Sequence, residues 1–372
     1  MRIWIDGFEA NVKERLGSSQ VAFELLKSIE DLDKQNDYTI LLVNPPLDDL
    51  PKERNGWRYK IIKPGKLKTF ISIPLALYLA KQKPDVFFSP THYIPRFSPV
   101  KTIVTIFDLS FLHFPEMFQK KDLFQLTNWT KFSVLNSSKI ITISDFSKQD
   151  IIKQYKVKED KVFVSYPGFS DQIFHNIKDK SKIDQILKKY NIEGDYIIYI
   201  GTLQPRKNLL RLIEAFSLVE SKNLKLVIVG KTKGEGREGW MYKDILDVPK
   251  KLGIEDRIIF TGFVKNQELG FLLNGAKVSI LISLWEGFGI PVVEAMASGT
   301  PVIVSNVSSL PEVVGNAGIK VDPYAIDDIR DAIQNLVKNS AMQEKYSKLG
   351  LEQAKKYSWK KMADKVIEVL TK

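Results

Sequence analysis

A chain of 372 residues exceeds what a single hydrophobic core usually organises, so two domains are expected. It has no cysteine and only three histidines (His92, His113 and His175), which excludes disulfide frameworks, thiolate zinc sites and cysteine nucleophiles and argues against a histidine-rich metal site. A formal net charge of +11, with 44% hydrophobic and 27% charged residues, fits a soluble globular protein with some pull toward anionic partners.

From the amino terminus, residues 2–5 read directly as a strand, with none of the segments of a secretory signal, so a cytoplasmic protein is expected. A helical pattern follows over 17–34, opened by Gly17 and Ser18, and strands follow at 38–43 and 57–62. Residues 52–68 carry Lys52, Arg54, Arg58, Lys60, Lys63, Lys66 and Lys68 against one acid, Glu53. The helical pattern 70–82 comes next; its apolar stretch is far short of the ~20 residues of a spanning helix, and Pro74 interrupts it. Such a patch reads either as plain solvated surface or as peripheral contact of 52–80 with an anionic membrane, at its inner face. No basic motif interleaved with aromatic residues suggests nucleic acid.

Strands at 85–88, 101–106, 139–143 and 161–165 alternate with helical patterns at 120–136 and 144–155. Several are short continuous runs of Ile, Val, Leu and Phe, as buried parallel strands require. Pro167-Gly168 then punctuates the chain before a polar, lysine-rich stretch, and the domain boundary is expected near 170–190, with 1–175 as the first domain. The second part repeats the scheme, with strands at 196–200, 224–229, 257–260, 277–281, 301–304 and 318–321. Its helices fall at 208–220, 266–275, 290–298, 325–338, 340–356 and 359–371. The alternation implies α/β architecture with open parallel sheets, whose ligands bind beyond the carboxyl ends of the strands.

Two segments carry chemistry. Gly201-Thr-Leu-Gln-Pro-Arg206-Lys207-Asn208 lies between a strand and a helix, where free amides and a positive dipole end favour an anion. Arg206 supplies a fork for two phosphate oxygens and Lys207 a point charge, and an anion between them relieves two cations at a helix start. The second segment, Ser283 to Glu294, follows strand 277–281. Gly287 and Gly289 permit unusual dihedrals and close approach of a ligand, and Pro291 suits a first helical turn. Glu286 and Glu294, eight residues apart, offer carboxylates to vicinal hydroxyls of a ribose or a pyranose.

Glu286 and Glu294, within EGFGIPVVEAMASGTPVI at 286–303, resemble the E-x7-E signature of family 4 retaining glycosyltransferases, and GTLQPRKN resembles their phosphate-binding segment. TIFDLSFLHFPEMF at 105–118, ITISDFSKQDI at 141–151, VSYPGFSDQIF at 164–174, TGFVKNQEL at 261–269 and YSW at 357–359 extend the resemblance over most of the chain, toward the bacterial mannosyl- and rhamnosyl-transferase-like members. The resemblance implies a GT-B fold, in which two Rossmann-like domains face each other across a deep cleft. Residues 1–175 would bind the acceptor, with a carboxyl-terminal helix from about 358 to 372 packed back on them, and 176–357 would bind the donor.

The implied activity moves a hexose, mannose or a 6-deoxyhexose such as rhamnose, from a nucleotide-diphosphate sugar to a glycan or lipid-linked acceptor in cell-surface polysaccharide synthesis. Arg206 and Lys207 would neutralise the diphosphate without a metal ion, and no cofactor is required. Glu294 would bind the ribose, and Glu286 with the amides of Phe288 and Gly289, beside Gly287, would hold the sugar. Gly17 would let the backbone approach the diphosphate or the acceptor, Gly201 would belong to the donor site, and Asp108 joins Glu286, Arg206 and Lys207 in the catalytic set. Phe107 stands before Asp108 where the family usually has a histidine near the exocyclic carbon of the sugar, and Gly17-Ser18 replaces a glycine pair. Since no nucleophile is placed by sequence, front-face attack is expected, with the departing phosphate oxygen taking the acceptor proton. Rival readings are a GT-B epimerase, which would want more acid–base residues, and a catalytically weak sugar-nucleotide-binding scaffold. A nicotinamide dehydrogenase is disfavoured because no G-x-G-x-x-G follows the first strand. Asp31-Leu-Asp33 has the form of a metal-binding pair, but polar neighbours at a helix end make it solvated charge.

Overall fold

The computed structural model describes residues 1–65, 67–231 and 242–372; Lys66 of the basic stretch lies outside them. The chain forms two compact domains, Met1–Gly168 with Ser358–Lys372, and Phe169–Tyr357.

The first domain is built on seven parallel strands: β1 (Arg2–Asp6), β2 (Asp37–Leu42), β3 (Trp57–Ile61), β4 (Val86–Ser89), β5 (Lys101–Thr105), β6 (Lys139–Thr142) and β7 (Val162–Val164). Their order is β3-β2-β1-β4-β5-β6-β7, so the winding reverses between β1 and β4. Ile3 pairs with Tyr38 on one side and Val86 on the other, and all three are buried. Continuous apolar strands such as Val-Phe-Phe in β4 suit a sheet covered on both faces.

Its helices are α1 (Ser18–Leu32), α2 (Ser72–Tyr78), α3 (Ser110–His113), α4 (Lys120–Asn136) and α5 (Asp145–Tyr155). The pattern 70–82 shrinks to α2 because a turn with Leu67 at positive φ precedes it. Asp33, from the pair at the end of α1, accepts bonds from Gln35 and Asn36 amides and from the Tyr38 hydroxyl at 2.7 Å, which is a structural cap.

The second domain has six parallel strands: β8 (Tyr196–Ile200), β9 (Lys225–Val229), β10 (Ile258–Gly262), β11 (Val278–Leu281), β12 (Val302–Ser305) and β13 (Gly318–Val321). The order β10-β9-β8-β11-β12-β13 repeats the winding of the first domain, with its reversal between β8 and β11. The helices are α6 (Lys180–Lys189), α7 (Leu209–Ser217), α8 (Tyr242–Lys251), α9 (Asn266–Gly275), α10 (Ile290–Ala297), α11 (Leu310–Val314), α12 (Ile326–Lys338) and α13 (Ser340–Ala354). α6 occupies the stretch read as a polar linker. It packs on α9 through Ile183 and Leu187, both of which reach toward Gly275.

The division falls after Gly168 rather than at 175, because residues 169–175 are fastened to the second domain. Phe174 is buried, the Asn274 amide donates to the His175 carbonyl at 2.9 Å, and Gly270 leaves room for the Ile173 carbonyl. The last helix, α14 (Trp359–Thr371), belongs to the first domain, where it packs on α1. Ser165 Oγ donates to the Met362 carbonyl at 2.9 Å and Lys139 Nζ to that of Val369 at 2.8 Å. A side chain at Gly168 would meet the Trp359 amide nitrogen at 2.1 Å, so only glycine fits where the chain leaves and re-enters this domain side by side.

Candidate functional site

Within the second domain the two sequence segments come together. β8 ends at Ile200, and a short helical turn, Pro205–Lys207, carries Arg206 and Lys207 just ahead of α7. Asn208, in the left-handed region, closes that turn, and its side-chain amide donates to the carbonyls of Ile282 (3.1 Å) and Pro323 (2.7 Å). The Leu284 amide donates to the Arg206 carbonyl at 2.9 Å, which ties the loop after β8 to the loop after β11.

Glu286 is the hub of this junction. Lys207 Nζ lies 2.5 Å and Arg206 Nη1 3.4 Å from its carboxylate, Ser283 Oγ donates at 2.6 Å, and Arg206 also donates to the Trp285 carbonyl. Burial alone would raise the Glu286 pKa, but Lys207, Arg206 and the bonds from Lys207 and Ser283 outweigh it and hold the carboxyl below its ordinary value. The anion between the two cations, expected from the sequence to be a phosphate, is in this arrangement a carboxylate of the chain itself. Ser308 and Ser309 complete the loop: Ser308 Oγ accepts from the Glu286 amide at 3.2 Å, and Ser309 Oγ donates to the Glu286 and Phe288 carbonyls at 2.9 and 3.1 Å. Nothing in the local spacing marks these two serines, and Ser283 has its role only through its bond to Glu286.

The glycines behave differently from one another. Gly289, at φ 102°, caps α10, and a side chain there would meet Leu310 at 2.6 Å. Gly287 is not among the residues of positive φ, so its expected unusual dihedral is corrected; only Gly289 needs one. Gly201 lies against the Tyr199 hydroxyl, which a Cβ would approach to 2.7 Å. The Phe288 ring is buried edge-on against Tyr357 at 5.2 Å, leaving only its backbone for a ligand. Glu294 lies in α10, and burial pushes its carboxyl up to about 8.

The remaining predicted site residues belong to the first domain. Gly17, at φ 54°, precedes α1, with no atom within 4 Å of where a Cβ would stand. Asp108 accepts from the Ser110 amide at 2.7 Å, just ahead of α3. The Phe107 ring is buried edge-on against His92 at 5.3 Å. His92 is the histidine on Phe107, whereas His113 sits 3.0 Å from both oxygens of Asp150. Asp6, at the end of β1, is a buried carboxylate the sequence reading passed over. Burial raises its pKa against the opposing pull of Lys68, whose Nζ is 3.6 Å away. Among the described residues no group of three or more His, Cys, Asp or Glu could hold a metal ion, and no helix is long and apolar enough to cross a membrane.

Residues 181–353 match the family described as Glycosyl transferases group 1. The O-antigen chain mannosyltransferase B of Escherichia coli is 29% identical over 339 residues, which cover 86% of this chain and 87% of that one. Among solved structures, sucrose-phosphate synthase from Thermosynechococcus elongatus has a TM-score of 0.79 at 17% identity, covering 99% of this chain and 98% of that one. HepE of Anabaena, in complex with UDP and glucose, has a TM-score of 0.77 at 17% identity, covering 100% and 99%. The two Rossmann-like domains are those of the GT-B fold. Residues 181–353 thus form a glycosyl transferases group 1 domain, and the protein is an enzyme that transfers a sugar.

Proposed function

We propose that this glycosyltransferase moves mannose or a 6-deoxyhexose, with retention, from a nucleotide-diphosphate sugar to a glycan or lipid-linked acceptor in cell-surface polysaccharide synthesis. The observation that carries the reading is the Arg206–Lys207–Glu286 network in the loops after β8 and β11. Two nearly buried cations that share one carboxylate can exchange it for a diphosphate, which offers more charge and more acceptor oxygens in the same place. Glu286, released, turns to the hydroxyls of the sugar, with the backbone of Phe288 and Gly289 beside it. Glu294, whose raised pKa keeps it protonated near neutral pH, can both donate to and accept from ribose hydroxyls.

The leaving group is then a diphosphate whose growing charge meets fixed cations in the site, without a metal ion. Front-face departure leaves the phosphate oxygen to accept the proton of the acceptor hydroxyl. The named mannosyltransferase relative supports mannose and a glycan acceptor, and the complex of HepE with UDP and glucose supports a nucleotide-linked donor. The first domain, with Gly17 and Asp108, takes the acceptor in this reading.

The test is a thermal-shift panel of nucleotide-diphosphate sugars, followed by turnover of the best binder and assignment of the product anomer by NMR. A ligand at 100 times its Kd should add about 2.7 kcal/mol. Stabilisation by no nucleotide sugar, or a product of inverted configuration, overturns the reading.

A further inference from the structure

The apolar residues of the α2 region are too many for its inner face. Ile73, Ala76 and Leu77 point inward and join a core cluster with Trp4 and Phe87. The opposite side is also apolar: Leu67, Ile71, Leu75, Tyr78 and Leu79 are exposed, Leu75 at 51% and Leu79 at 71%. They form one row, because the amides of Ile71, Leu75 and Leu79 each donate to the carbonyl four residues earlier, those of Leu67, Ile71 and Leu75, at 2.9 Å. A surface helix normally turns polar residues outward, and one that is apolar all round is a buried helix or one that meets lipid.

The charge around this row identifies the partner. Between Glu53 and Asp85 the sequence holds no acidic residue and eight cations: Arg54, Arg58, Lys60, Lys63, Lys66, Lys68, Lys81 and Lys83. Some are used inside the domain. Arg54 pairs with Glu30, Lys60 lies over the Trp4 ring at 4.6 Å, and Lys68 serves Asp6. Lys63 before the row and Lys81 and Lys83 after it are exposed.

We propose that the first domain rests on an anionic lipid bilayer, with Leu67, Ile71, Leu75, Tyr78 and Leu79 inserted among the acyl chains and Lys63, Lys81 and Lys83 on the headgroups. Apolar insertion and the basic flanks act together, as in other interfacial helices, and the protein is peripheral to the membrane it serves. The inference does not rest on the donor or the sugar, since vesicle binding requires no turnover.

The experiment is co-sedimentation of the full chain with vesicles of phosphatidylcholine containing 30% phosphatidylglycerol, and with pure phosphatidylcholine. Wild type is expected to bind the anionic vesicles, more weakly as salt is raised, and to leave the neutral ones in solution. L75E/L79E should bind at least tenfold more weakly, and K63E/K81E/K83E should lose about fivefold per lysine. L218E, which charges an exposed leucine of the second domain, should bind like wild type. All variants alter exposed side chains, so thermal unfolding should match wild type; the salt titration of wild type tests the proposal independently of any variant. Three results overturn it: no binding of wild type to anionic vesicles, binding that ignores salt, or equal binding by L75E/L79E. A wild-type dimer that L75E/L79E dissolves, without vesicle binding, overturns it too, by assigning the row to a second copy of the chain.

Discussion

The two domains share a winding order and differ in what stands at their points of reversal. In the second domain, the loops after β8 and β11 bring two cations onto one carboxylate, and Glu286 is held ionised. In the first, the strand ends carry Asp6, raised by burial against a single lysine, and the aromatic pair of Phe107 with His92. A buried charge cluster costs desolvation that an apolar cluster of equal volume avoids, so it is a weak contributor to stability. In the proposed reading this cluster takes the charged donor, whereas the reversal point of the first domain holds a single ion pair, Asp6 with Lys68, beside two rings. The scaffold is common; the loops decide the chemistry.

The largest test of that contrast removes the charge from the second domain. R206A/K207A should weaken nucleoside diphosphate binding by about 3–5 kcal/mol in calorimetry, as expected when charge-assisted bonds vanish and a buried carboxylate loses its partners. Unchanged affinity would detach the network from the donor. In the first domain, Gly168→Ala drives a methyl group into the Trp359 backbone and should cost about 1–3 kcal/mol of stability in denaturant unfolding. An unaltered midpoint would show that α14 is not held as described. Phe107→His should move donor preference toward a 6-hydroxy sugar by one or two orders of magnitude in kcat/KM, roughly 1–3 kcal/mol for pairing a buried hydroxyl. If wild type already prefers the 6-hydroxy donor and the variant is identical, Phe107 does not face the exocyclic carbon and the 6-deoxy alternative fails.

The effect of Glu294 is read through pH. Its folded pKa, about 8, lies above the unfolded value, so the native state holds a proton that the unfolded chain has lost. Its contribution is complete below about pH 4.5 and declines as pH rises toward 8. Glu294→Gln should therefore gain on wild type as pH goes from 5 to 8, by up to about 3–4 kcal/mol if the whole shift is expressed, read as a diverging Tm. Parallel Tm profiles for the two proteins would contradict this. The last expected effect is nil: turnover in excess chelator should equal turnover with Mg²⁺ or Mn²⁺, and activity that needs the metal back would reassign the role of Arg206 and Lys207.

The parallel strands were legible because a strand covered on both faces has to be apolar throughout, as Tyr-Ile-Ile-Tyr-Ile in β8 is. α6 was not, because it has no fully buried residue and its lysines hide the Ile183–Leu187 stripe that fits Gly275. The charged residues of the site could be read from their local spacing. Their pairing could not, since it joins Lys207 to Glu286 across 79 positions. Ser308 and Ser309 meet the same loop from a third strand end, with nothing local to mark them. His92 reaches Phe107 only because β4 and β5 are neighbours in the sheet.

The course of the chain past Gly168 has a consequence for how the protein is made. The second domain is an insertion in the first, entered at Phe169 and left at Tyr357. During synthesis the second domain can close as a unit as soon as Tyr357 is free, since everything it needs is contiguous. The first domain is translated earlier but waits longer. Val366, Val369 and Leu370, all buried, have to return before α1 is covered. Until then the nascent chain carries an open apolar groove through the translation of nearly two hundred further residues, the interval in which a chaperone has most to protect.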